Sequence, residues 1–101
     1  MTEETAIKKQ IKQYLDYTGW FSFHVLQGLG SFHGVPDKIA IKNGIVLFIE
    51  IKSSTGRQSG HQKRFQELIE NHGGYYLLAR SVEDVDRYIS NLTGQGSLMF
   101  V

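Results

Sequence analysis

The stretch Pro36-Asp-Lys-Ile-Ala-Ile-Lys-Asn-Gly-Ile-Val-Leu-Phe-Ile-Glu-Ile-Lys52 decides the fold. Asn43-Gly44 is the strongest short signal for a two-residue hairpin turn, because the favoured turn needs positive φ at both central positions. It predicts strands from Asp37 to Lys42 and from Ile45 to Lys52, with Lys42 facing Ile45 and every cross-strand pair summing to 87. Asp37 then stands directly opposite Glu50, and opposed residues share a face with Cβ atoms about 4.5–5.5 Å apart. Side chains alternate along a strand, so Glu50 and Lys52 share that face while Ile45, Leu47, Ile49 and Ile51 line the other. Two carboxylates and an ammonium therefore meet at one end of an apolar ribbon.

Opposed carboxylates repel. A hard divalent cation such as Mg²⁺ or Mn²⁺ removes that penalty, because it binds through one or two carboxylates with water and phosphate oxygens. Lys52 beside it would offer charge to a phosphate, which is the set a phosphodiesterase needs. The alternative is a structural ion pair, with Lys52 neutralising Glu50 and Asp37 capping the turn after Pro36.

Outward from the hairpin, Thr2 is a helix N-cap with Glu3 and Glu4 at the positive end of the dipole. Ile7, Ile11, Tyr14, Leu15 and Thr18 follow at helical spacing until Gly19. Glu4 belongs to the same stripe, so it is either a dipole acid or an acid that reaches the site. Residues 20–27 alternate like a strand, and Gly28 to Gly34 form a glycine-rich loop. Its spacing does not fit a dinucleotide fingerprint, since Pro36 and a strand follow where a helix is required.

Ser59 and Gln62 make a capping-box pattern before Phe65, Leu68, Ile69 and His72. Gln62 lies on that stripe too, so it either caps the helix or points at the site. Tyr75 to Ala79 is a strand, and Ser81 with Asp84 opens a last helix carrying Val82, Val85, Tyr88, Ile89 and Leu92. The apolar tail, Ser97 to Val101, is an edge strand or a segment that docks on a partner. The expected fold is α/β, a mixed β-sheet flanked by helices in the order α-β-β-β-α-β-α.

At 101 residues the chain is expected to form one domain, 1–101. Hydrophobic residues at 41% and charged residues at 21% exclude a disordered or fibrous chain. Without cysteine there is no thiolate nucleophile and no cysteine-ligated zinc, and His24, His33, His61 and His72 lack metal-ligand spacing. A net charge of +1 means that any phosphate-binding charge must be sorted onto one face. Arg57, His61, Lys63 and Arg64 cluster near the motif as phosphate-contact candidates. His33 is a DNA contact or a solvated side chain, and Lys8, Lys9 and Lys12 form a solvated helix face or, as the lesser alternative, contact a DNA backbone. The longest apolar run, Ile45 to Ile49, cannot span a membrane, and the acidic N-terminus is not a signal peptide, so the expected address is cytoplasmic.

Together, Glu4, Gly34-Val-Pro-Asp37, Ile49-Glu-Ile-Lys52 and Ser59-Gly-His-Gln62 resemble the virus-type replication-repair nuclease (VRR-NUC) family of PD-(D/E)XK nucleases. The resemblance covers roughly residues 4 to 82, with order and intervals in agreement. It implies a restriction-endonuclease-like core and a Mg²⁺- or Mn²⁺-dependent DNA endonuclease. By position, it implies metal ligands at Asp37, Glu50 and the Ile51 main-chain carbonyl, and a catalytic lysine at Lys52. Glu4 would be a further acid near the metal and Gln62 a supporting residue. Short stand-alone members imply a homodimer acting on branched DNA such as four-way junctions. A non-catalytic nucleic-acid-binding module with the same fold is the competing function, and a structural dimerisation domain a third.

Overall fold

The computed structural model describes residues 1–26 and 32–94. Gln27, part of the glycine-rich loop and the tail from Ser97 to Val101 lie outside them, as does any strand that tail would form. The elements are α1 (Glu3–Tyr17), β1 (Phe21–His24), β2 (Lys38–Lys42), β3 (Ile45–Ile51), α2 (Gly60–Asn71), β4 (Tyr75–Ala79) and α3 (Val82–Thr93). Their order is the expected one. The strands lie in the order β1-β2-β3-β4, antiparallel from β1 to β3, with β4 parallel to β3. The sheet is therefore mixed.

The hairpin register is as derived: Lys42 pairs with Ile45 and Lys38 with Ile49. Asn43 and Gly44 have φ of 51° and 80°, the positive values that a tight twisted turn demands. Leu47, Ile49 and Ile51 face a core completed by Ile7, Ile11 and Leu15 of α1 and Val85 and Ile89 of α3. The opposite face of β3 carries Phe48 and Glu50, and α2 covers it, with Phe32 edge-on to Phe65 of that helix. Phe65 stands edge-on to Phe48, and Gln62 reaches Glu50. Among the described residues no other layer backs α2, and none of its residues is fully buried.

Several boundaries differ from the expectation. The strand expected over 20–27 pairs only as Phe21–His24, with Trp20 turned into the core. Asp37 and Lys52 fall just beyond the ends of β2 and β3. Each still keeps a backbone hydrogen bond to a neighbouring strand segment, Asp37 through its carbonyl to Val25 and Lys52 through its N–H to Ala79. Among the described residues no helix is long and apolar enough to cross a membrane.

Candidate active site

Asp37 is held from two sides. Its carbonyl accepts from the Val25 N–H at 3.0 Å, and its Oδ2 accepts from the Ile51 N–H at 2.7 Å. The second bond ties the end of β2 to β3 where the ladder stops, so the Asp37 carboxylate cannot swing away from Glu50. Glu50 is buried, with 2% of its surface exposed. Its Oε2 accepts from Gln62 Nε2 at 2.6 Å and lies 3.2 Å from Lys52 Nζ. Its Oε1 is buried and has no hydrogen-bond partner among the described residues.

The two oxygens of Glu50 have different surroundings. A structural ion pair is present, yet Lys52 and Gln62 both serve Oε2 and leave Oε1 without a donor. Burial, with the Asp37 charge next, pushes the Glu50 carboxyl up to about 7 even though Lys52 pulls the other way. The site therefore lacks positive charge at this point. A cation bound by both carboxylates, or a proton, would satisfy it.

Gln62 resolves its own ambiguity by doing both jobs. Its Oε1 accepts from the Ser59 N–H at 2.8 Å while Ser59 Oγ accepts from the Gln62 N–H at 3.1 Å, a complete capping box. The amide nitrogen that remains is the one that holds Glu50.

Glu4 does not join the two acids directly. Its Oε2 lies 3.3 Å from Lys8 Nζ, which in turn lies 3.6 Å from Asp37 Oδ1. Lys8 is thus corrected from a solvated position to a bridge between Glu4 and Asp37. Burial lowers its pKa, but the Asp37 and Glu4 carboxylates outweigh that and leave it raised. The clue was its place one turn after Glu4, the spacing at which helical side chains meet. Lys9 is exposed, and Lys12 pairs with Asp16 on the surface at 2.7 Å. Among the described residues no three acidic, histidine or cysteine side chains gather into a cation cage. Asp37 and Glu50 are the side chains that could hold a metal, and the unpartnered Glu50 Oε1 is a donor of the kind a hard cation takes.

Sequence reasoning also missed Glu3, whose Oε1 accepts from the N–H and hydroxyl of Ser54 at 3.2 and 3.0 Å. This ties α1 to the loop after β3. His33, expected as a contact or a solvated residue, stacks on His61 with ring centroids 4.9 Å apart. Arg57 and Lys63 line a common cleft beside the site, while Arg64 is exposed on α2.

Gly34 has a reason beyond its motif. Its φ is +83°, and a Cβ there would lie 2.1 Å from the His61 carbonyl oxygen and 2.7 Å from the Gln62 nitrogen. Both are backbone atoms that cannot step aside. Gly34→Ala is expected to cost about 2 kcal/mol or more, read as a melting temperature lower by roughly 10 °C. An unchanged melting temperature would refute this close approach.

The four-stranded mixed sheet with its three helices matches an α/β nuclease fold. Two solved structures share it. One, described as a "VRR_NUC domain", superposes with a TM-score of 0.77 at 24% identity, covering 89% of this chain and 97% of its own. The other, a "VRR_NUC domain protein", gives a TM-score of 0.71 at 19% identity, covering 96% and 93%. No family model matches the chain, nor does any curated protein sequence. The chain has the fold of VRR_NUC domains.

Proposed function

We propose that the chain is a VRR-NUC nuclease, a Mg²⁺- or Mn²⁺-dependent endonuclease that hydrolyses phosphodiester bonds of branched DNA. The observation that carries this is the buried, donorless Glu50 Oε1 beside the fixed Asp37 carboxylate. Asp37 and Glu50 would hold the metal, and the resemblance adds the Ile51 carbonyl. A divalent ion there supplies Lewis acidity to the scissile phosphate and to the attacking water.

This chain's own groups do the rest. Gln62 fixes the orientation of Glu50, and the Ile51 N–H fixes that of Asp37. Lys52, 18% exposed at its side chain, has an ammonium within reach of incoming phosphate oxygens. It stabilises negative charge as it develops in the transition state. Lys8 keeps Asp37 charge-compensated from the α1 side. Support for a homodimer comes from β1, an edge strand whose Phe21 and Phe23 are 67% and 40% exposed. Two-fold pairing is the commonest use of such a surface.

The test is cleavage of end-labelled four-way junction, flap, duplex and single-stranded DNA with Mg²⁺, Mn²⁺ or EDTA. Metal-dependent cutting with the junction preferred is expected; a folded protein that binds these DNAs and cuts none would favour the non-catalytic module. The metal also has a readout that needs no DNA. At a hundred times its dissociation constant, Mn²⁺ is expected to stabilise the fold by about 2.7 kcal/mol, seen as a higher melting temperature. Asp37→Asn should lose that shift, and an equal shift in the variant would remove Asp37 as a ligand.

A further inference from the structure

Beside the candidate active site lies a cleft of about 640 Å³ that the proposed chemistry does not use. It is an open cleft bordered by the loop after β3, the first turn of α2 and the end of β4, and its lining includes Thr55, Arg57, Lys63 and Arg80. We propose that it is a nucleotide-phosphate pocket, which takes a DNA phosphate next to the one that is cut. That identity of the ligand as DNA rests on the nuclease reading above.

Charge is the first ground. Among the described residues, none of Arg57, Lys63 and Arg80 has a carboxylate within ion-pair distance; the acid-base pairs lie elsewhere. Three unneutralised cations around one concavity form a site for an anion.

Preorganisation is the second. Arg80, half-buried, donates from Nη1 to the Ser53 carbonyl at 2.7 Å and to the Gly56 carbonyl at 2.6 Å. Those bonds fix the plane of the guanidinium and commit one of its nitrogens. The Nε and Nη2 donors make no hydrogen bond among the described residues. Such a fork matches two oxygens of a phosphate. Ser54 is spent on Glu3, so Thr55 is left as the hydroxyl donor.

Position and size complete the case. A Cβ at Gly56 would lie 3.5 Å from Cβ and Cδ of Lys52, so the loop that walls the cleft runs along the stem of the candidate catalytic lysine. A strand whose scissile phosphate meets Lys52 thus passes the cleft. The volume falls in the range of small-molecule sites, about 300–1,000 Å³, and exceeds what a bare phosphate needs. The occupant brings its sugar or base with it.

The test uses the whole chain in EDTA, so no cleavage is required. Amide and arginine side-chain NMR signals are followed while thymidine, thymidine 5′-monophosphate or a thymidine dinucleotide is added. The expected result is that both phosphate-bearing ligands shift the signals of residues 54–58, Lys63 and Arg80, and thymidine does not. Tighter binding by the monophosphate would mark a strand end as the source, and tighter binding by the dinucleotide an internal phosphate. Because Arg80 also pins the loop, Arg80→Gln risks disturbing it. The Arg57→Gln/Lys63→Gln pair, exposed and free of structural bonds, therefore carries the test and should weaken binding about tenfold or more. Equal shifts with thymidine, shifts confined to other residues, or undiminished binding by the double variant would overturn the pocket. None of these depends on whether the protein cuts DNA.

Discussion

Glu50→Gln is expected to abolish cleavage and, at pH 8 without divalent metal, to make the folded chain more stable. The second half follows from proton linkage. An unfolded glutamate loses its proton near 4.5, whereas the folded Glu50 keeps it up to about 7. A folded pKa raised in this way gives stability that is complete below 4.5 and is lost as pH rises to 7. Above pH 7 the folded state carries the full cost of a buried carboxylate that Lys52 only partly compensates, on the order of 3 kcal/mol. Glutamine has no such cost: its carbonyl can accept from Lys52 and Gln62 while its amide donates toward Asp37. Melting in EDTA should show the variant higher by roughly 15 °C at pH 8 and level with the parent at pH 4. A variant that melts lower than its parent at pH 8 would show that Glu50 is a structural ion-pair partner. The loss of cleavage, about a thousandfold, then separates stability from activity in one substitution.

Lys52→Ala is the second large effect. Lys52 ties to β4 only through its backbone N–H on the Ala79 carbonyl, a bond alanine keeps, so the fold should survive the substitution. Cleavage should fall by a factor of about 10²–10³, the usual loss when one preorganised charge at a developing anion is removed. DNA binding should weaken only slightly, since one phosphate contact is lost among several and the salt slope changes by about one. Without Lys52 the Glu50 carboxyl loses the charge that holds it down, so the residual activity should need a higher pH than the parent. Cleavage within threefold of the parent would refute the role. Lys52→Arg keeps the charge but spreads it over a planar fork, and should restore little.

The hairpin was legible because its determinants are local. Asn43-Gly44 sets the register, and period-two alternation then fixes which face every residue of β2 and β3 occupies. The capping box at Ser59 and Gln62 was legible for the same reason. The bridge through Lys8 was not, because it depends on how α1 crosses the end of the sheet, a distance set by the packing of Ile7 and Ile11 on β3. Gln62 could be narrowed to two roles from sequence, and only the fold showed that its two amide ends serve one role each. Arg80 carried no sequence signal at all, being a single arginine after a strand. Its significance comes from the two carbonyls it grips across the loop.

The shared amide of Gln62 makes the start of α2 and the posture of Glu50 one mechanical object. Fraying of that first turn, a common low-energy excursion of any helix end, would release the acid at the same moment as it releases Ser59. Assembly of the proposed active centre is therefore tied to a local helix–coil equilibrium, and whatever quiets that helix end also fixes the acid.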